Sequence, residues 1–165
     1  YKYMTNIKTI DIELAILKKF KYQQNYIVQN ITNQMNLLRF ECDMLVINKS
    51  GFATGFEIKV SKSDLKADLK KQHFGNEKYY KKFKSFYYAV PKELEEIALE
   101  IIPDFCGLYV FEILKNKYSF KEVKKSIKIS AYKWPENEIF EVLRLGTMRI
   151  FSLKNKIREI SQKKF

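Results

Sequence analysis

Proline and glycine are scarce in this sequence, at 3 and 5 of 165 residues, and no tract of them marks a linker. Internal repeats and low-complexity blocks are also missing, so the length reads as one domain with a real core. Cysteine is nearly absent, and Cys42 and Cys106 each lie in an apolar run. That excludes a disulfide framework and predicts buried free thiols in a reducing compartment. The single histidine, His73, has no cysteine partners and makes no zinc site by itself. No stretch approaches the ~18 consecutive apolar residues of a membrane span. Nor does a charged-then-apolar leader precede a small-residue cleavage site, and the expectation is a cytoplasmic protein without membrane attachment.

Acid is the other deficit. Nineteen Asp and Glu stand against 31 Lys and Arg, a formal net charge of +12. Such a surplus favours polyanions, chiefly nucleic acid, through counterion release. The alternative source of the bias is an AT-rich genome, since Lys, Asn, Ile, Tyr and Phe are all abundant. What is present in quantity is hydrophobic residue, 46%, and aromatic residue, 15%, which excludes a mainly disordered chain.

Periodicity predicts an α/β protein. Residues 9–20 read as a helix with Thr9 as N-cap, Asp11 and Glu13 in the first turns and an apolar stripe of Ile10, Leu14, Leu17 and Phe20. Glu13 falls within that stripe, so it either reaches water at the edge or aims at a site. Tyr26-Ile27-Val28 suggests a short strand, and the Asn/Gln-rich segment 29–36 a loop. Strands follow at about 39–48 and 53–60, joined by a turn at Asn48-Lys49-Ser50-Gly51. Ser61 caps a helix to about Lys71, with Asp64 in a variant capping box. Leu65 and Leu69 are expected inward, with Lys62, Lys66, Lys70 and Lys71 as a basic exposed surface. Tyr80 and Phe83 are core candidates. Phe86-Tyr87-Tyr88-Ala89-Val90 and residues 107–113 read as buried strands. Between them residues 92–102 form an acidic amphipathic helix, a parallel crossover expected away from any phosphate-binding side. Tyr118 to Val123 alternates like an edge strand, extended by Ile127-Lys128-Ile129. Residues 136–160 show helical spacing, which Gly146 is expected to break or kink.

The chemistry concentrates at residues 41–60. Alternation places Glu57 and Lys59 on one strand face and Ile58 and Val60 on the other. A hairpin brings Asp43 alongside. Two carboxylates ~4 Å apart repel by about 4 kcal/mol at an effective dielectric near 20. A divalent cation between them removes that penalty, and hard Asp and Glu oxygens suit Mg²⁺ or Mn²⁺. Asp43, Glu57 and the carbonyl of Ile58 are the candidate metal ligands. Lys59 is placed to orient a metal-bound water or to stabilise developing negative charge. Downstream, Lys62, Lys66, Lys70, Lys78, Lys81 and Lys82 with Tyr79 suit nucleic acid, because Lys meets phosphate and a tyrosine ring stacks on a base. A bland solvated lysine face remains the alternative for the helical lysines.

Asp43, a gap of 13 residues, and then Glu57-Ile58-Lys59 resembles the signature of the PD-(D/E)XK nuclease superfamily. The longer run EIKVSKSDLKADLKK, a Tyr-rich segment and FYYAVP is similar to the MmcB-like branch, associated with DNA repair. The likeness covers about residues 39–91. It implies a restriction endonuclease-like αβββαβ core with a mixed central sheet flanked by helices, here about residues 9–113, to which the helical spacing of residues 136–160 adds a C-terminal helical extension over about 114–165. It further implies Asp43 and Glu57 as metal ligands, Lys59 as the catalytic lysine, Glu13 in the place of a first-helix acid, and Mg²⁺ or Mn²⁺ as cofactor. Ser61, Asp64 and Asp68 also fit the branch's pattern, the first two with a capping role. Cys42 stands where many members carry Pro.

The resulting expectation is a metal-dependent nuclease acting on DNA, in repair or mobile-element processing, with a homodimer compatible with duplex cleavage. The alternative is a catalytically inactive nucleic-acid-binding module on the same fold.

Overall fold

The computed structural model describes residues 7–31, 37–115 and 117–162. Six strands form one mixed sheet in chain order: β1 (Tyr26–Ile31), β2 (Cys42–Ile47), β3 (Ala53–Ile58), β4 (Ser85–Pro91), β5 (Gly107–Leu114) and β6 (Lys117–Lys124). β1, β2 and β3 pair antiparallel, β3, β4 and β5 parallel, and β6 returns antiparallel to β5. Helices α1 (Thr9–Lys19), α2 (Lys62–Ala67), α3 (Glu95–Ile101) and α4 (Glu136–Gln162) flank it. The order α1-β1-β2-β3-α2-β4 is the expected αβββαβ core, and the class is α/β. The sheet continues through β6, so the segment after residue 113 supplies a strand as well as the C-terminal helix.

Strand alternation divides the core into two layers. Met44, Val46, Phe56, Ile58 and Ala89 face α1, whose Ile12, Ala15 and Ile16 are buried against them. Leu45, Ile47, Ala53, Tyr88 and Val90 face the other way, toward Leu65 of α2, Ala98 of α3 and Val142 of α4. Tyr80 and Phe83 are fully buried in that second layer, as expected of core aromatics. Cys42 and Cys106 are buried free thiols. No helix among the described residues is long and apolar enough to cross a membrane.

Several sequence expectations are corrected. In α1, Ile10 and Leu14 are exposed, and the buried stripe is Ile12-Ala15-Ile16 instead. Small Ala15 lets the helix approach the sheet, and Phe20, edge-on to Phe56 at 5.0 Å, fixes its rotation. The helix begins at Thr9 rather than being capped by it, and Asp11 accepts the Lys8 backbone N–H at 2.8 Å. Strand β1 extends to Ile31, shortening the loop expected over 29–36, of which 32–36 lie outside the described residues. Residues 127–129 join the body by single backbone bonds, Ile127 N–H to Phe105 and Ile129 N–H to Lys84, and do not extend β6.

The acidic helix α3 lies on the same sheet face as α2 and touches it. Both crossovers step in one direction, β3 to β4 to β5, and two connections of the common right hand then fall on one face. Helix α4 runs unbroken through Gly146, beside Val28 of β1. Glycine costs a helix only about 1 kcal/mol and keeps its N–H. Buried Val142, one turn earlier, docks the helix on the body. From Ile150 onward every described residue of α4 is exposed.

Candidate active site at the fork of strands β2 and β3

Pairing between β2 and β3 ends at Met44 opposite Phe56. The next positions outward, Asp43 and Glu57, share the face of Leu45 and Gly55. There β3 leaves β2 but stays with β4, where Glu57 pairs with Tyr88 and Ile58 with Ala89. The Ile58 N–H turns to a side chain: Asp43 Oδ2 accepts it at 2.7 Å. The fork thus holds Asp43 against the strand that carries Glu57, Ile58 and Lys59. Gly55 lets β3 lie close under the aromatic layer, since a Cβ there would sit 2.6 Å from Phe83 and Phe86.

Two acids and two ammonium groups interlock beside the fork. Lys59 Nζ lies 2.7 Å from Glu57 Oε1 and 3.2 Å from Asp68 Oδ1. Lys71 Nζ lies 3.1 Å from Glu57 Oε1 and 2.6 Å from Asp68 Oδ1. Asp68 Oδ1 has no well-aligned hydrogen bond, so charge is what binds it to both ammonium groups. Its other oxygen accepts the Tyr88 hydroxyl at 3.2 Å. Glu57 and Asp68 are 4% and 1% exposed, whereas the Lys71 side chain is 40% exposed. Solvent therefore reaches this cluster past Lys71.

With Asp43 the site holds three carboxylates and two ammonium groups, a residual charge of minus one when all are ionised. Burial, followed by the charge of Glu57, raises the Asp43 carboxyl to about 6, while the Ile58 N–H and the charges of Lys59 and Lys71 pull it down. Burial works against the Lys71 ammonium, but Asp68 and Glu57 outweigh it and raise its pKa. Burial also raises the thiol of neighbouring Cys42, which donates to the Met44 carbonyl at 3.1 Å. His73 stacks on Phe40 at 4.2 Å, and burial, then the charge of Lys71, lowers its pKa.

The structure brings Asp43, Glu57, Ile58 and Lys59 together, as their spacing implied. Glu13 stands apart from that cluster. It lies on α1, on the opposite sheet face, half-buried, with burial raising its pKa and no hydrogen bond or ion pair to the fork among the described residues. Lys62, Lys66 and Lys70 are exposed around α2 and the turn after it. Lys78, Tyr79, Lys81 and Lys82 gather elsewhere, around one cleft. Lys82 is already engaged, 2.6 Å from Glu138 and over the Trp134 ring at 5.3 Å.

Leu69, expected in the core, is exposed, whereas Lys71 is exposed as expected but also turns its ammonium onto the two buried acids. Helix α2 ends at Ala67 and a 3₁₀ turn, Asp68–Lys70, follows. The tighter winding, 120° per residue instead of 100°, brings Asp68 inward three residues after Leu65 and leaves Leu69 52% exposed. Lys71 then reaches back over Asp68. The spacing Leu65-x-x-Asp68-x-x-Lys71 was the available signal.

Among the described residues, no group of three or more His, Cys, Asp or Glu side chains is arranged to hold a metal ion. A two-carboxylate set of Asp43 and Glu57 with the Ile58 carbonyl still fits Mg²⁺ or Mn²⁺, which keep several waters.

No protein-family model matches the chain, and no curated protein matches it. Among solved structures it is similar to a protein of unknown function from Silicibacter pomeroyi, at 15% identity and a TM-score of 0.58, covering 91% of this chain and 90% of that one. At that identity the likeness establishes a shared fold.

Proposed function

We propose that the chain is a metal-dependent nuclease hydrolysing phosphodiester bonds, in DNA, through the fork of β2 and β3. The observation that carries this reading is the meeting of Asp43, Glu57 and Lys59 at one point where β2 and β3 part. The resemblance of Asp43…Glu57-Ile58-Lys59 to the PD-(D/E)XK signature supports it, as does the net charge of +12. A divalent ion at Asp43, Glu57 and the Ile58 carbonyl would neutralise phosphate charge and acidify a bound water.

The chain's own residues do the remaining work. Asp43, raised to about 6, is largely ionised at neutral pH and offers its second oxygen while Oδ2 stays on the Ile58 N–H. Lys59, anchored on Glu57 and Asp68, presents a fixed positive charge to the negative charge that develops on the phosphate. Lys71, the half-exposed member, is the cation that an incoming phosphate meets first. Repair is the setting that the MmcB-like resemblance suggests, with mobile-element processing as the other candidate.

The test is cleavage of single- and double-stranded DNA in Mg²⁺ or Mn²⁺. Glu57→Ala and Lys59→Ala are each expected to lower turnover by about 10² or more, with folding and DNA binding retained. Unchanged cleavage in both would sink the proposal. The second reading, a binding module without turnover, is favoured by one observation: both lysines already neutralise Glu57 and Asp68. Manganese titration separates the two. Steeply salt-dependent DNA binding with no Mn²⁺ bound at Asp43 and Glu57 selects the module.

A further inference from the structure

Beyond the fork, on the same sheet face, a cleft of about 330 Å³ opens between the segment after α2 and the chain leading into α4. Its floor is Leu37 and Leu38, 5% and 4% exposed. Tyr79 and Tyr132 form walls, and Arg39, Lys78 and Lys81 stand at the rim. None of these three cations forms an ion pair among the described residues, in contrast to Lys82, which is held by Glu138.

The cleft is built, not incidental. Ser130 Oγ donates to the Lys81 carbonyl at 2.6 Å and Trp134 Nε1 to the Lys82 carbonyl at 2.8 Å. The Tyr132 hydroxyl donates to Glu138 at 3.0 Å, and the Lys82 ammonium lies 5.5 Å from the Tyr132 ring centre. Two distant segments are therefore pinned with the walls in place, which suits a pre-formed ligand site. The Tyr79 hydroxyl has no hydrogen bond among the described residues, so nothing but its packing holds the ring. The cleft also adjoins the fork. Tyr79 lies 6.3 Å from His73, ring centre to ring centre, and His73 follows Lys71 of the cluster by two residues.

An apolar floor, tyrosine walls and three cations without an ion pair among the described residues define a ligand that is flat at one end and polyanionic at the other. An acidic peptide would use the cations but leave Tyr79 and the leucines without contact. An intact duplex would offer phosphates but no free base face. We infer that this cleft receives one unstacked nucleotide of a single-stranded or frayed nucleic acid, its base against Tyr79 and its phosphates on Arg39, Lys78 and Lys81. This deepens the nuclease reading and rests on nucleic acid being the substrate: the cleft would hold the strand next to the fork.

Binding of the full chain is measured in EDTA, so that no turnover intervenes. The probes are a fluorescein-labelled thymidine oligonucleotide of about 12 residues, the same strand as a blunt duplex, and dTMP. The single strand is expected to bind at least about tenfold more tightly than the duplex. Tyr79→Ala is expected to weaken it about tenfold, and Tyr79→Phe to stay within about twofold of the parent. Lys78→Ala with Lys81→Ala, both at exposed positions, is expected to flatten the salt dependence by about 1.4 in slope. Equal affinity for strand and duplex, with no effect of Tyr79→Ala, overturns the inference. So does dTMP binding as tightly as the oligonucleotide, which would make this a free-nucleotide site. These affinities need no metal, so failure of the cleavage test leaves them standing. A chain that cleaves but ignores Tyr79→Ala loses the cleft alone.

Discussion

Lys71 Nζ lies 2.6 Å from Asp68 Oδ1, and the same ammonium reaches Glu57 Oε1 at 3.1 Å, so one half-exposed lysine closes a ring of charge over two buried acids. Removing one member costs most where the charge left behind stays desolvated. Lys71→Met leaves Glu57 and Asp68, both buried, sharing the one ammonium of Lys59, and should cost about 3 kcal/mol. Asp68→Asn leaves Lys59 paired with Glu57 and Lys71 partly in water, and should cost about 1 kcal/mol. Urea denaturation of both single variants and the double variant checks this. The double variant should be less destabilised than the sum of the singles by about 1 kcal/mol or more. Strict additivity would mean that the ring contributes nothing as a unit.

Gly55 sets how closely the aromatic layer covers β3, two residues before Glu57 on the same face. A methyl group there meets Phe83 and Phe86 at 2.6 Å, and both rings are fully buried. Gly55→Ala should destabilise the fold by about 2–3 kcal/mol, as overpacking a filled core does. A thermal midpoint equal to the parent's would show that the rings yield more easily than their burial implies.

The strands and the fork were largely legible in the sequence, because each depends on short-range alternation. Glu57 and Lys59 follow from period two, and the Ser50-Gly51 turn sets Asp43 opposite, with Gly51 at positive φ. What escaped were the features set by tertiary contact or by a local change of helical winding. Ile10 and Leu14 matched a stripe as well as Ile12 and Ile16 did, and only the seat of Phe20 on Phe56 and Tyr109 chose between them. Lys71 looked like its neighbours because α-helical spacing was assumed beyond Ala67. The face occupied by α3 required knowing that β4 and β5 continue in the direction of β3.

The last turns of α4 make a separate prediction. Residues 150–162 extend about 20 Å at helical rise, and all are exposed, including Ile150, Phe151, Leu153, Ile157 and Ile160. The docked part of the helix ends near Arg149, whose guanidinium donates to the Asn30 carbonyl. A chain ending at Arg149 should keep its unfolding free energy within about 0.5 kcal/mol, the range of surface changes. A clear loss of stability on truncation would place contacts on that segment.

Asp43 gives the site its pH dependence. Its carboxyl titrates near 6 in the fold against an ordinary 3.8, with burial as the first cause and the Glu57 charge as the second. A carboxyl raised on folding favours the native state when protonated. Its contribution is therefore complete below pH 3.8 and disappears as the pH climbs through about 6. The gap corresponds to at most about 3 kcal/mol. Asp43→Asn retains an acceptor for the Ile58 N–H but cannot ionise. Relative to the parent it should gain stability steadily between pH 4 and about 6 and hold that gain above, which denaturant titrations across the range would read. Under the proposed function the same proton competes with the metal. Mn²⁺ affinity of the parent should then fall about tenfold for each pH unit below 6, until other ligands titrate. A parent that instead gains stability over Asp43→Asn as the pH rises through that window would mean that Lys59 and Lys71 outweigh burial at Asp43, leaving a carboxylate already neutralised and with little left to offer a cation.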